Sequence, residues 1–254
     1  MEKNPFFDFN RLKYLIIRQF TLNYKTMMIA VGAIAGFLLV VGTLTIVFAH
    51  KNYNDEQILG LIMPTLFLTG IIYTSMVFAE LNNPNRGYVY LTLPASAFEK
   101  LVTAWLFSSV FYIVFSAVFL LFINLCYLAI ANLFSSSQVA LVNIFDPDVL
   151  YMFGTYLVVQ SVFFLGAIYF RRINFLKTIL SWFLFFMVIA IYSGILAKIL
   201  FGTASFDSAQ FSHSIELEIT FENYVVPVLK FIRWFLVAPF FLVVSYFRLK
   251  ERQV

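Results

Sequence analysis

Six long apolar runs divide this chain, and each approaches the length a helix needs to cross a bilayer, about 20 residues. They cover residues 27–48, 58–79, 101–133, 149–170, 178–201 and, roughly, 224–247. The 33 Phe residues recur inside these runs and not in a two-residue alternation, so the pattern is that of buried or lipid-facing helices. Hydrophobic residues make up 62% of the 254 and charged residues 12%, where a soluble domain carries roughly 25% charge. A soluble chain this apolar could place its side chains only on an aggregating surface. The expected fold class is therefore an all-α membrane protein with six transmembrane helices in a single domain, residues 27–247, with no separate soluble domain.

Details of the runs refine this. Val47-Phe48-Ala49 looks like a signal cleavage site, but the basic segment before the first run and the run itself are both too long for a signal peptide. It reads as a retained helix. The third run exceeds the bilayer and is expected to tilt or project. Lys230 and Arg233 interrupt the sixth. Pro64, Pro227 and Pro239 are candidate kinks, which membrane helices tolerate.

Lys and Arg fix the expected orientation. Lys3, Arg11, Lys13, Arg18 and Lys25 precede the first run; Arg86 and Lys100 follow the second; Arg171, Arg172 and Lys177 follow the fourth; Arg248, Lys250 and Arg252 lie in the tail, residues 248–254. The opposite side has Lys51 alone, beside Asp55, Glu56, Asp146, Asp148, Asp207, Glu216, Glu218 and Glu222. This alternation fits six spans and fails for five, so both ends are expected in the cytoplasm. The net charge of +4 is dispersed over helix ends and does not suggest nucleic acid. Cys126 sits alone in an apolar run, and His50 and His213 are isolated, so no disulfide or metal site is expected.

Residues 1–26 read as a cytoplasmic amphipathic entry helix. Asp8 can cap it. Phe9, Leu12, Ile16 and Phe20 share one face, and Arg11, Arg18 and Lys25 recur on another, as in a helix lying at a membrane surface. The plainer reading is a charged flank that only sets topology.

The loop between the second and third spans, residues 80–100, is the most informative stretch. Asn83-Pro84 and Arg86-Gly87 signal a turn. Tyr88, Tyr90, Leu91 and Leu93 then form an apolar element between spans, which Pro94 ends. Ser96 can cap a new helix, with Glu99 as its capping-box partner. The apolar face packs on the membrane surface, on neighbouring helices, or in a groove of a cytoplasmic partner.

The stretch Leu91-Thr92-Leu93-Pro94-Ala95-Ser96-Ala97-Phe98-Glu99-Lys100-Leu101 resembles the segment after the second span in ABC-2 type transporter permeases, which often show Leu-Pro-x-Ser-x-x-Glu there. The six-span layout with a basic entry helix is also similar to that family. One position departs: Ala104 stands where such permeases tend to carry a basic residue. The resemblance implies a permease subunit in the plasma (inner) membrane, paired with a second permease copy or paralogue and driven by a separate cytoplasmic ABC ATPase subunit that holds the ATP and Mg. Residues 82–100 would be the coupling element, with Asn83, Pro84, Arg86, Gly87, Leu93, Pro94, Ser96, Glu99 and Lys100 in it. The chain has no Gly-x-x-x-x-Gly-Lys-Ser/Thr phosphate loop, so no cofactor is expected in it.

Three further features remain. Gly32-x-x-x-Gly36 is a close-packing motif, for an internal neighbour or a dimer partner. Lys198, near the end of the fifth run, is expected to snorkel. Lys230 and Arg233, three apart, share a helical face; they line a possible translocation path, or mark an outer element before the true span begins. Residues 214–222 alternate polar and apolar, as in a short strand or surface segment.

Among function classes, an ABC exporter permease leads. An ion-coupled secondary transporter would want a carboxylate within the membrane and an inverted repeat; Asp and Glu are absent from all six apolar cores. Intramembrane proteases are disfavoured: neither His is followed by Glu, no span carries an Asp pair, and both His residues lie at or beyond the outer edge. The chain is therefore not expected to be an enzyme. A non-transporting membrane scaffold subunit would look the same as a permease.

Overall fold

The computed structural model describes residues 7–48, 55–82, 84–134, 141–201 and 226–252. These residues form helices, with no strand among them. Helix α1 spans Phe9–Phe48 and α2 spans Asp55–Met76. Two short helices follow, α3 (Ala79–Asn82) and α4 (Pro84–Leu91). Helix α5 (Ala97–Leu106) runs through a π turn, Phe107–Phe111, into α6 (Tyr112–Phe134). Then come α7 (Pro147–Tyr169) and α8 (Asn174–Phe201). The last helix starts as α9 (Val226–Phe231), widens into a π segment, Ile232–Val237, and continues as α10 (Ala238–Glu251). Pro239 lies in the first turn of α10; having no N–H to donate, it breaks the regular ladder, and the wide turn sits directly before it.

Six of these helices are long and apolar enough to cross a membrane: Phe9–Thr45, Ile58–Met76, Ala97–Leu133, Pro147–Tyr169, Asn174–Leu196 and Val226–Glu251. Each overlaps one of the six apolar runs of the sequence, and the first begins 18 residues before its run. The molecule is a multi-pass helical membrane protein.

Helix α7 is the axis of the bundle, in contact with α2, α8, α10 and the π segment before α10. One apolar cluster joins α1, α2, α6 and α7 through Leu38, Ile58, Ile62, Leu120, Ile123, Tyr127 and Val149. The fully buried Tyr127 donates its hydroxyl to the Leu38 carbonyl at 2.5 Å. Gly42 lies where any Cβ would collide with the Tyr127 ring. A second cluster joins the end of α2 to α5, α7 and α10 through Phe78, Leu101, Ala104, Phe164, Ala167, Ile168 and Leu249. Ala104 is buried there, where a charged side chain would lose its hydration. Between the two clusters the polar side chains pair off: the Tyr156 hydroxyl donates to the Ser108 carbonyl at 2.6 Å, Gln160 Nε2 to Ser108 Oγ at 2.7 Å, and the Tyr112 hydroxyl to the Leu66 carbonyl at 2.6 Å. These three donors find acceptors in the bundle interior, where an unpaired polar group is costly. Ser108 lies in the π turn, an irregularity common at functional places in helices.

The entry segment and the first span form one continuous helix, not two pieces. No Pro lies within it, and Gly appears only from Gly32 onward. At about 1.5 Å per residue it is about 60 Å long, twice a bilayer core of about 30 Å. Its packed face also differs from the expected one. Leu12 and Leu15 are buried, while Phe9 and Phe20 are exposed. The helix leans on the rest of the protein through Leu12 and Leu15, and its aromatics turn outward.

Helix α8 is bare. From Ile179 to Leu196 every side chain is exposed except the half-buried Trp182. The expected alternating segment at 214–222, the outer acidic residues Asp207, Glu216, Glu218 and Glu222, and His50, Lys51 and His213 lie outside the described residues.

Candidate functional site

The 80–100 stretch is built on α3, α4 and the start of α5. Pro84 opens α4, where its missing N–H costs nothing. Arg86 and Gly87 lie inside that helix and do not form the expected turn. Gly87 allows the close approach of α4 to α3: a Cβ there would stand 3.1 Å from the Leu81 carbonyl oxygen. Asn83 lies outside the described residues. Leu93 and Pro94 lie in the connection between α4 and α5.

The expected capping box is present. Ser96 Oγ accepts the Glu99 N–H at 3.1 Å, and Glu99 Oε2 accepts the Ser96 N–H at 2.8 Å. Glu99 does more than cap. It is fully buried, and its other oxygen, Oε1, accepts the Asp8 N–H at 2.7 Å and lies 3.6 Å from the Arg11 Nε. One carboxylate thus ties the start of α1 to the start of α5. Phe98 meets Phe7 on one side and Tyr246 of α10 on the other, with ring centroids 6.3 Å apart in each case.

Lys100 is also buried. Its ammonium donates to the Leu91 carbonyl at 3.0 Å and lies 5.6 Å from the Tyr90 ring centre. A cation at the exposed carbonyls of a helix C-terminus is favourable, so Lys100 closes α4. The opposite partner of Tyr90 is Arg18, 6.0 Å from the ring centre, and Arg18 pairs with Glu80 of α3 at 2.9 Å. Burial pushes the Tyr90 hydroxyl well above its ordinary range, with nearby Glu80 adding to the shift and Arg18 opposing it. The phenol stays neutral between its two cations.

Glu99 and Lys100 are both buried in contacts within the chain. Among the described side chains of the element, Tyr88, Val89, Thr92 and Pro94 are exposed. The sequence pattern marked the caps of this element but missed the contributions of Asp8, Arg11, Arg18 and Glu80, because no periodicity links a carboxylate to a cation 62 positions away or to a backbone N–H 91 positions away.

The end of α10 lies at the same end of the bundle. Arg252 donates to the Tyr169 carbonyl at 3.2 Å and to Asn82 Oδ1 at 3.4 Å. Burial lowers its affinity for the proton, and Arg171 and Arg248 act in the same direction. Arg171, Arg248 and Arg252 thus lie close together at this end.

The remaining sequence features lie elsewhere. Gly32 and Gly36 face open space, with nothing within 4 Å of a Cβ built on either, so neither packs on an internal neighbour. Lys198 is exposed. Lys230 and Arg233 are exposed too, near the far end of the bundle, and Arg233 lies beside Tyr151 and Thr155 of α7. Among the described residues no group of His, Cys, Asp and Glu could hold a metal ion.

Comparison with protein-family models, with curated proteins and with solved structures gave no match.

Proposed function

We propose that the chain is the membrane-spanning permease subunit of an ATP-driven ABC transporter, of ABC-2 type and working as an exporter in the plasma membrane. A separate ATP-binding subunit docks on the α3–α4 element, which faces the cytoplasm with both chain ends. The observation that carries this reading is the bracing of that element. Glu80, Glu99 and Lys100 fasten it to α1 and α5, while Tyr88, Val89, Thr92 and Pro94 stay exposed. Exposed apolar side chains on a rigidly held projection suit docking. A push on α4 would pass to α3, on which it packs, and through Lys100 to α5. A second permease copy would cover bare surface on α1, where Gly32 and Gly36 are open, or on α8.

The test is purification in mild detergent after cross-linking, with mass spectrometry of the accompanying chains. A stoichiometric protein carrying a phosphate loop, cross-linked to Tyr88 or Val89, is expected. Absence of any such ATPase would sink the permease reading and leave a scaffold or an ion-coupled carrier.

A further inference from the structure

Arginine–tyrosine contacts mark both ends of α7. At the end near the chain termini, Arg248 lies 4.9 Å from the Tyr169 ring centre. At the far end, Arg233 lies 5.9 Å from the Tyr151 ring centre. The stretch from Tyr151 to Tyr169 is about 27 Å long at 1.5 Å per residue, close to the thickness of a bilayer core, about 30 Å. Aromatic residues gather at the two membrane–water interfaces. This spacing places Arg233 at the level of the far headgroups and not at the membrane centre.

The surroundings of Arg233 are built. Trp234 lies against Gly154, where any Cβ would strike its ring. The Trp234 and Tyr151 rings meet edge to face with centroids 5.7 Å apart. Tyr151, Gly154 and Thr155 share one face of α7. The π segment Ile232–Val237 holds more residues per turn than an α-helix, so successive side chains diverge less. Arg233 and Trp234 are thereby both presented to α7. The guanidinium donates to the Tyr151 hydroxyl at 3.4 Å and to Thr155 Oγ1 at 3.3 Å. Both partners are hydroxyls and the contacts are long, so most of the guanidinium's five donors stay available. Lys230 precedes it by three positions and is also exposed. Among the described residues no carboxylate pairs with either cation.

We propose that Arg233 and Lys230, framed by Tyr151, Thr155 and Trp234, form a binding site for the phosphodiester of a phospholipid headgroup in the far leaflet. A fork of N–H donors with a second cation beside it matches a phosphate oxygen pair, and the depth is that of the lipid phosphate. The site is independent of the transport reading.

Trp234 is the natural reporter. The chain has three Trp residues, and W105F/W182F leaves one at the site. The purified full-length protein in neutral detergent is titrated with short-chain phosphatidylglycerol, with diacylglycerol of the same chains, and with inorganic phosphate. A saturable Trp234 emission shift with phosphatidylglycerol is expected, weakened at least ten-fold in K230Q/R233Q and absent with diacylglycerol. An equal response to inorganic phosphate supports the phosphate site and assigns it to the free anion. An equal response to diacylglycerol, or an unchanged affinity in K230Q/R233Q, overturns the proposal. Native mass spectrometry of retained phospholipid on the wild-type and K230Q/R233Q proteins gives the same decision without the Trp replacements.

Discussion

Glu99 and Asp8, 91 positions apart, meet through a 2.7 Å hydrogen bond from the Asp8 N–H to a fully buried carboxylate oxygen. The same carboxylate caps α5 and faces Arg11. Its removal leaves the Asp8 and Ser96 N–H groups without this acceptor and takes one of two neighbouring carboxylates from Arg11, which keeps Asp8. Glu99→Ala is expected to cost about 2–3 kcal/mol, from the lost cap and the stranded donors. Glu99→Gln keeps the cap and should cost less than half of that. Thermal unfolding in detergent checks both, and equal melting temperatures for Glu99→Ala and wild type would refute the tie.

Tyr88 and Val89 are exposed and hold nothing in place within the chain. Y88D/V89D should leave the melting temperature within the range of ordinary surface changes, about 0.5 kcal/mol, while abolishing recovery of the ATPase. Undiminished recovery would move the docking surface elsewhere.

Gly42 faces Tyr127 with no space for a methyl group. Gly42→Ala should push the ring aside, break its hydrogen bond to the Leu38 carbonyl, and destabilise by about 1–3 kcal/mol. Adding Tyr127→Phe in the same chain should cost little more, since the bond is already lost; additive costs in the double-mutant cycle would argue against this route.

Ile173 adopts φ 55° in the turn between α7 and α8. A β-branched residue in the left-handed region is strained, by roughly 1–2 kcal/mol. Ile173 is exposed, so Ile173→Gly loses no core contact. It should raise the melting temperature by a few degrees, and a fall would show that the strain is absent.

The orientation can be read with single cysteines in a Cys126→Ala background. Membrane-impermeant maleimide applied to intact cells should label Leu141→Cys and spare Lys3→Cys and Val254→Cys. The reverse pattern would invert the topology, and with it the side on which α4 meets its partner.

The sequence made the spans legible because lipid imposes one simple demand, a continuous apolar length, and all six helices satisfy it. The Ser96–Glu99 capping box was legible for a similar reason: its two members lie within one turn. What the sequence hid was set by tertiary packing. The entry helix buries Leu12 and Leu15, although Phe9 and Phe20 make the more conspicuous stripe. Arg86-Gly87 reads as a turn, yet the glycine serves to let α4 lie against the Leu81 carbonyl. Lys100 reads as a topology-setting charge, and in the fold it closes a neighbouring helix. Arg18–Glu80 and Arg11–Glu99 join segments far apart in sequence, so no local pattern could announce them.

The bare surface of α8 carries a consequence for how freely its sequence can drift. Where the only neighbour is an acyl chain, one apolar residue serves as well as another, and the helix is held to little more than a length. A saturating substitution scan of residues 179–196 would then read as a map of company: positions that accept every apolar exchange lie against lipid, and a stripe that refuses them traces the seam along which another polypeptide lies.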